Sequence, residues 1–372
     1  TPDDGTDDSA AIRKAIADAR TQNKVLFIPK GTFDQTAYDP NEQSTPKLAV
    51  SGITIRGAGM WYSVLKGFGA QFEVSGNDNQ FYDFAVFGDV TYRDDTKGWQ
   101  GFDGPAGTGS RMENVWIEHE TAGWWVGKGA FVGQVTQALT TGLVVHGVRI
   151  RDTYADGVNF NDATKDSIVE QSSFRNTGDD SLATWSYTAD GPAPCDGNVF
   201  RFNTVQAVWR ANCLAIYGGS NNSMQDNTCA DTSNYPGILL STTFSAIAFG
   251  GTTTVQRNTL TRAGGPHYGQ QFGALRIFAD TAPVSGIQVN DVDVVSPTFS
   301  GIHFGGAQQT SGVTMSGVQV SDYGTVGIWV SSEAHGSAEM DDVTVTGSLN
   351  KGLQNDAPNA FTLNRGSGDT GW

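Results

Sequence analysis

Two hydrophobic patterns divide the chain. Ala10, Ala11, Ile12, Ala15, Ile16 and Ala19 recur at the spacing of one helix face. Asp7 or Asp8 can cap that helix. Val25-Leu26-Phe27-Ile28-Pro29 then reads as a short buried strand ended by the proline. Beyond it no long helical period returns, and short alternating apolar runs are separated by Gly, Asn and Asp.

These runs repeat. Ile150-Arg151-Asp152-Thr153 superimposes on Phe174-Arg175-Asn176-Thr177 at an offset of 24, and an Asn-Thr pair recurs at 176, 203, 227 and 258. Val292-Asp293-Val294 and Gly301-Ile302-His303-Phe304 match Val318-Gln319-Val320 and Gly327-Ile328-Trp329-Val330 at an offset of 26. Val343-Thr344-Val345 continues the series at 25. A strand-rich period of this length marks a solenoid. Leucine-rich repeats would need dense Leu and helices, and propeller blades need ~40 residues each. The expected fold is all-β: a single right-handed parallel β-helix of roughly ten coils, in which stacked coils supply the core that one coil cannot. Residues 1–372 form one domain in this reading, with 1–30 as an N-terminal capping helix and strand and 140–260 as the coils that carry the chemistry. Asn at the turns suits left-handed backbone and ladders from coil to coil. The stretch from Gln206 to Ala211 reads as an insertion that lengthens one coil.

Composition sharpens this picture. Glycine supplies 47 of 372 residues, nearly twice the usual ~7 %, as a turn-rich chain requires. The net charge of −16 argues against nucleic acid and anionic membranes and suits a neutral polymer. No apolar run reaches the ~18 residues of a spanning helix. A start at Thr1 without Met suggests a processed, secreted product whose signal peptide is absent. Cys195, Cys213 and Cys229 allow at most one internal bridge and have no zinc-site spacing. A monomer is expected. No metal and no cofactor is required, and nothing indicates a structural calcium.

The densest chemistry is Tyr154-Ala155-Asp156-Gly157-Val158-Asn159-Phe160 followed by Arg175-Asn176-Thr177-Gly178-Asp179-Asp180. The offset of 24 lays Asp156 on Asp180, and equivalent positions in adjacent coils stand about 4.8 Å apart. With Asp179 beside them, at least one carboxyl should stay protonated. Glycoside hydrolysis uses that division between a protonated acid and an ionised base. Asn159, Trp185, Trp209, Arg210, Asn212 and Tyr217 are candidates to bind the sugar, Asn212 falling in the Asp180 column. His267 and Tyr268, in the loop from 264 to 273, and Arg276 after it, can wall a cleft. His303 reads as structural, and Trp99 and Trp124-Trp125 can line the other end of a groove. There is no phosphate loop, dinucleotide fingerprint, serine elbow or His-Glu-x-x-His.

Asp156-Gly157-Val158-Asn159-Phe160 and Arg175-Asn176-Thr177-Gly178-Asp179-Asp180-Ser181-Leu182-Ala183-Thr184-Trp185 resemble glycoside hydrolase family 87, the bacterial endo-α-1,3-glucanases and mycodextranases. Trp209-Arg210-Ala211-Asn212 and Tyr235-Pro236-Gly237-Ile238 resemble its following coils, and Asp4-Gly5-Thr6-Asp7-Asp8-Ser9 resembles the start of many pectate-lyase-like β-helices. The resemblance implies an inverting endo-hydrolase of α-1,3-glucan whose catalytic trio maps onto Asp156, Asp179 and Asp180. It further implies Asp179 as the acid, with Asp156 and Asp180 holding water. A splayed acid and base ~6.5–9.5 Å apart would leave room for that water. The competing readings are action on nigeran, a polygalacturonase-like hydrolase, for which a Gly-His-Gly turn and an Arg-x-Lys pair are missing, and a non-catalytic polysaccharide-binding solenoid.

Overall fold

A computed structural model describes residues 1–36, 47–127, 135–347 and 351–372. Helix α1 (Ser9–Thr21) turns Ile12, Ile16 and Ala19 inward and packs on the strands Leu26–Ile28 and Leu48–Ser51, closing the N-terminal end of the solenoid. Two details differ from the pattern-based expectation. Ala10 and Ala11 are exposed, since the buried face of the helix runs through Ser9, Ile12, Ile16 and Ala19. The first strand is Leu26–Ile28, and Val25 and Phe27 point outward at 58 % and 55 % exposure. A strand buries alternate residues, so the apolar run is not buried on both faces.

After the cap the chain winds as a right-handed parallel β-helix. Three stacked sheets hold 13, 12 and 12 strands among the described residues, and their neighbours pair in parallel. Each coil contributes one strand to each sheet. In the third sheet, Leu182, Leu214, Ile238, Leu275, Ile302 and Ile328 stand in one fully buried column. Burial of each such side chain is worth about 1.5–3 kcal/mol. Phe72 and Phe102 stack inside at 4.7 Å between ring centroids, and Trp124 packs against Phe102. The next residue along each strand points out of the solenoid. That outward column runs Trp125, Asn159, Ala183, Ala215, Leu239, Arg276, His303, Trp329.

Asparagines fix the corners. Asn203 Nδ2 donates to Asn227 Oδ1 at 3.0 Å, and Asn227 Nδ2 donates to Asn258 Oδ1 at 2.9 Å. Backbone amides of the same residues donate to the same oxygens one coil on. The left-handed residues are the preceding Phe202, Asp226 and Arg257, so the ladder asparagines are selected for hydrogen bonding. Asn176, counted with them by the Asn-Thr repeat, lies outside this column. The ladder continues instead to Ser172, whose amide donates to Asn203 Oδ1, while Asn176 takes the left-handed turn itself and donates to Asp152. The expected insertion also moves. Strand Ile168–Glu170 pairs with Val199–Arg201 at an offset of 31, so the extra length lies mainly between Trp185 and Val199, and only one residue is added between Gln206 and Leu214.

Asn227→Ala removes a buried acceptor that serves two donors and should destabilise the protein by about 2–3 kcal/mol. Asn176→Gly, which keeps the left-handed turn, should cost less than about 1 kcal/mol. Denaturant melts of the two variants distinguish the ladder from the repeat count.

Candidate active site

The outward face of the third sheet carries the Asp block. Val158 pairs with Leu182, so Asp156 and Asp180, each two residues before its strand, fall one above the other. The Gly157 amide donates to the Asp180 carbonyl at 2.9 Å, closing the two turns on each other. A side chain at Gly157 would collide with the Ser181 carbonyl, and one at Gly178 with the Trp209 ring and the Tyr154 backbone. Both glycines are therefore needed for close approach. The amides of Gly178 and Asp179 donate to the Ala155 carbonyl, turning Asp179 toward the surface while Asp180 stays inside. One carboxylate oxygen from each of Asp156, Asp179 and Asp180 lies within 4.8 Å of the others. The cluster is tighter than the splayed acid and base expected from the turn after Gly178.

The three carboxyls have different surroundings. Asp180 is buried and accepts from the Asn212 amide at 3.0 Å, Asn212 Nδ2 at 2.7 Å and the Tyr217 hydroxyl at 2.8 Å. Burial, followed by the charge of Asp179, still pushes its pKa up to about 7. Asp156 is buried with a single side-chain donor among the described residues, Asn159 Nδ2 at 3.3 Å. Burial first, then Asp179 and Asp180, hold it well above the usual carboxylate range. The phenol of Tyr217 is kept neutral by burial and by Asp180, so it donates. Asp179 is half-buried, and its Oδ2 receives Arg93 Nη1 and, at 3.3 Å, Arg210 Nη1. The trio could gather round a cation, but two guanidinium groups already offset its charge. Asp156 and Asp180 share one proton most economically, because two charges this close and this buried repel strongly.

Two cavities meet at Asp179. One, of about 220 Å³, is lined by the trio with Trp125, Asn159, Trp185, Tyr217 and Phe244. The other, of about 190 Å³, is lined by Asp179, Arg210, Asn212, Tyr217, Tyr235 and Tyr268. Trp185 is fixed by a bond from its Nε1 to the Phe244 carbonyl at 3.2 Å and by a 4.5 Å stack on Tyr187. Aromatic walls with a few polar groups at the floor suit a sugar ring.

The structure thus gathers Asn159, Trp185, Arg210, Asn212, Tyr217 and Tyr268 around the trio. Trp209 lines neither cavity and packs against Gly178, edge-on to Tyr154. His267 packs between Tyr235 and Tyr268. Arg276 belongs to another cavity farther along the sheet. Of the two adjacent tryptophans, Trp124 is buried and Trp125 faces the cleft, as strand alternation requires. Sequence reading missed Arg93 and Phe244. Arg93 lies in the long irregular segment between strands Ala85–Phe87 and Phe102–Asp103, where no repeat gives its position. The only signal is the length of that segment on a solenoid, since long inserts gather on one face.

Cys213, next to Asn212, is bonded to Cys229, and Cys195 is a buried free thiol. The bridge ties the Asn212 turn to the strand Thr228–Ala230 of the second sheet.

A carboxyl whose folded pKa is raised favours the fold at low pH and loses that contribution as pH rises toward the folded value. For Asp180 the loss runs from near pH 4 to about 7. Asp180→Asn should therefore melt higher than the parent at pH 7, by about 1–2 kcal/mol. The difference should shrink or vanish at pH 4, as thermal melts at the two pH values can show.

The family "alpha-1,3-glucanase catalytic domain D2" matches residues 6–328. The catalytic unit of a thermostable family 87 α-1,3-glucanase from Streptomyces thermodiastaticus strain HF3-3 is 31 % identical, with a TM-score of 0.84 over 100 % of this chain and 67 % of that one. The Agl-KA catalytic domain is 27 % identical, with a TM-score of 0.87 over 98 % and 67 %. A variant catalytic domain of a family 87 α-1,3-glucanase in complex with tetrasaccharides is 24 % identical, with a TM-score of 0.85 over 100 % and 71 %. That likeness concerns the fold, as does the mannuronan C-5 epimerase A-module of Azotobacter vinelandii at 16 % identity and a TM-score of 0.60, covering 98 % of this chain and 97 % of that one. No curated protein matches the chain in sequence. With its family profile spanning most of the solenoid and the whole Asp block, the chain belongs to the α-1,3-glucanase catalytic domain D2 family and is a glycoside hydrolase.

Proposed function

We propose that this hydrolase cuts α-1,3-glucosidic bonds within α-1,3-glucan by direct attack of water, with inversion at the anomeric carbon. The observation that carries the reading is the stacking of Asp156 on Asp180, with Asp179 across from them at the seam of two aromatic cavities. A glycosidic oxygen at that seam lies beside Asp179, which is assigned the acid. Water held between Asp156 and Asp180 attacks the anomeric carbon and gives its proton to Asp180, whose three donors favour the ionised form. Asp179 protonates the departing oxygen. In the free protein Arg93 Nη1 and Arg210 Nη1 both reach Asp179 Oδ2. For the acid step bound sugar takes the place of these guanidinium groups at Asp179, and the Asp156–Asp180 pair is the nearest proton source.

Several features support the substrate assignment. The tetrasaccharide and nigerose complexes of family 87 α-1,3-glucanase catalytic domains and the absence of a surplus of positive charge all suit a neutral α-glucan. The 4.8 Å cluster is closer than the ~6.5–9.5 Å of a two-carboxylate inverter. Product stereochemistry tests the difference. Secretion belongs to the same proposal. The Cys213–Cys229 bridge suits an oxidising compartment, and no helix among the described residues is long and apolar enough to cross a membrane.

Reducing ends should appear from insoluble α-1,3-glucan and not from starch, dextran or polygalacturonate. Release from nigeran at an equal or greater rate would move the substrate to the alternating polymer, and release from none would leave a binding solenoid. Asp179→Asn should lower turnover on native glucan about 10²–10⁴-fold, with much of the loss recovered on a substrate whose leaving group needs no proton. Failure to recover would shift the acid role to Asp156. Proton NMR of fresh digests should show the β-anomer first, whereas an initial α-anomer means retention.

A further inference from the structure

The outward column that passes the Asp block does not end there. Three to five strands on from Ala183 it presents Arg276, His303 and Trp329, about 14–24 Å away at the strand spacing. These residues line a separate cavity of about 500 Å³. The hairpin formed by Pro266–His267 and Gln270–Gln271 stands between the two sites. Tyr268 on it faces the cleft and Gln270 and Gln271 face the distal cavity.

The distal cavity has unmet polar demand. Arg276 is only 6 % exposed, and its guanidinium makes no hydrogen bond or ion pair with a described residue. It lies between the rings of Phe278, at 3.9 Å, and Phe272, at 4.5 Å. Burial lowers its pKa to about 10, still charged at neutral pH. Its Nε–H is buried without an acceptor among the described residues, which is costly unless something in the cavity supplies one. Beside it His303 is buried with neither ring nitrogen bonded to a described residue, kept neutral by burial and by Arg276. Its ring stacks on Trp329 at 4.2 Å and 18°. Trp329 Nε1 donates to Asp356 at 2.9 Å, which fixes the indole. Glu333 also lines the cavity. One arginine against two carboxylates leaves no positive surplus for a phosphate or a uronate. A fixed aromatic platform with donors and acceptors around it matches a neutral ring bearing hydroxyls.

We infer that this cavity is a second sugar site, holding a neutral pyranosyl unit of the same glucan on the catalytic sheet but away from the point of cleavage. The inference rests on the α-glucan reading of the cleft. A long chain lying along the sheet would occupy both sites, so the link between them raises effective concentration without new contacts at the scissile bond.

The test uses the full chain with Asp180→Asn to prevent turnover, and an α-1,3-linked tetrasaccharide as the probe in titration calorimetry. Two molecules should bind per chain. Adding Trp329→Ala, or separately Arg276→Gln, should leave one, with the remaining affinity changed less than about twofold. Melting curves identify a variant that fails to fold, and the other variant then decides. One molecule bound in the parent, or two retained in both variants, overturns the inference. So does competition by inorganic phosphate for the second molecule, which would make the cavity an anion site. If the reading of the cleft itself is wrong, the unmutated enzyme fails to cut α-1,3-glucan. Cleavage with single-site binding rejects only the distal site.

Discussion

Everything in this molecule depends on the coil-to-coil register of the parallel strands. Pairing Val158 with Leu182 and Leu182 with Leu214 sets Asp156, Asp180 and Asn212 in one column at the spacing of a hydrogen-bonded sheet. The spacing comes from backbone hydrogen bonds and from the apolar column on the inner face. Two carboxyls are thus held closer, and drier, than their charges would allow in a flexible loop. The stability of many coils holds this electrostatically unfavourable arrangement in place.

The surroundings distinguish three chemically identical groups. Asp180 has the Asn212 and Tyr217 donors, Asp156 has almost none, and Asp179 has two arginines. Those partners come from different coils and from an irregular segment, so each is positioned by a different part of the chain. The Cys213–Cys229 bridge anchors the turn that carries Asn212. Gly157 and Gly178 permit the close approach on which the column and the outward turn of Asp179 rely.

The architecture and the stacking of Asp156 on Asp180 were legible because a solenoid writes its geometry into a period. An offset of 24 superimposed Asp156 on Asp180, and strand pairing places them so. The period failed where residues between strands vary in number. It placed Asn176 in a ladder that runs instead through Ser172, and it put the inserted residues after Gln206 when most of them precede Val199. Arg93 and Phe244 escaped because irregular segments have no frame from which a position can be counted. Strand alternation would have chosen between Trp124 and Trp125, but the phase of a three-residue strand cannot be read from the pair alone. Outward residues beyond the cleft were equally unmarked: Arg276, His303 and Trp329 become one column only when their registers are known.

The central claim is that stacking makes Asp156 and Asp180 share a proton near neutral pH. Carbon-13 NMR of labelled aspartate carboxyls, followed from pH 3 to 9 with Asp156→Asn and Asp180→Asn for assignment, reads this directly. The account predicts that one proton of the pair is lost only near or above pH 7, and that removing either partner lowers the remaining one's pKa. Two carboxyls titrating independently near pH 4 would contradict it.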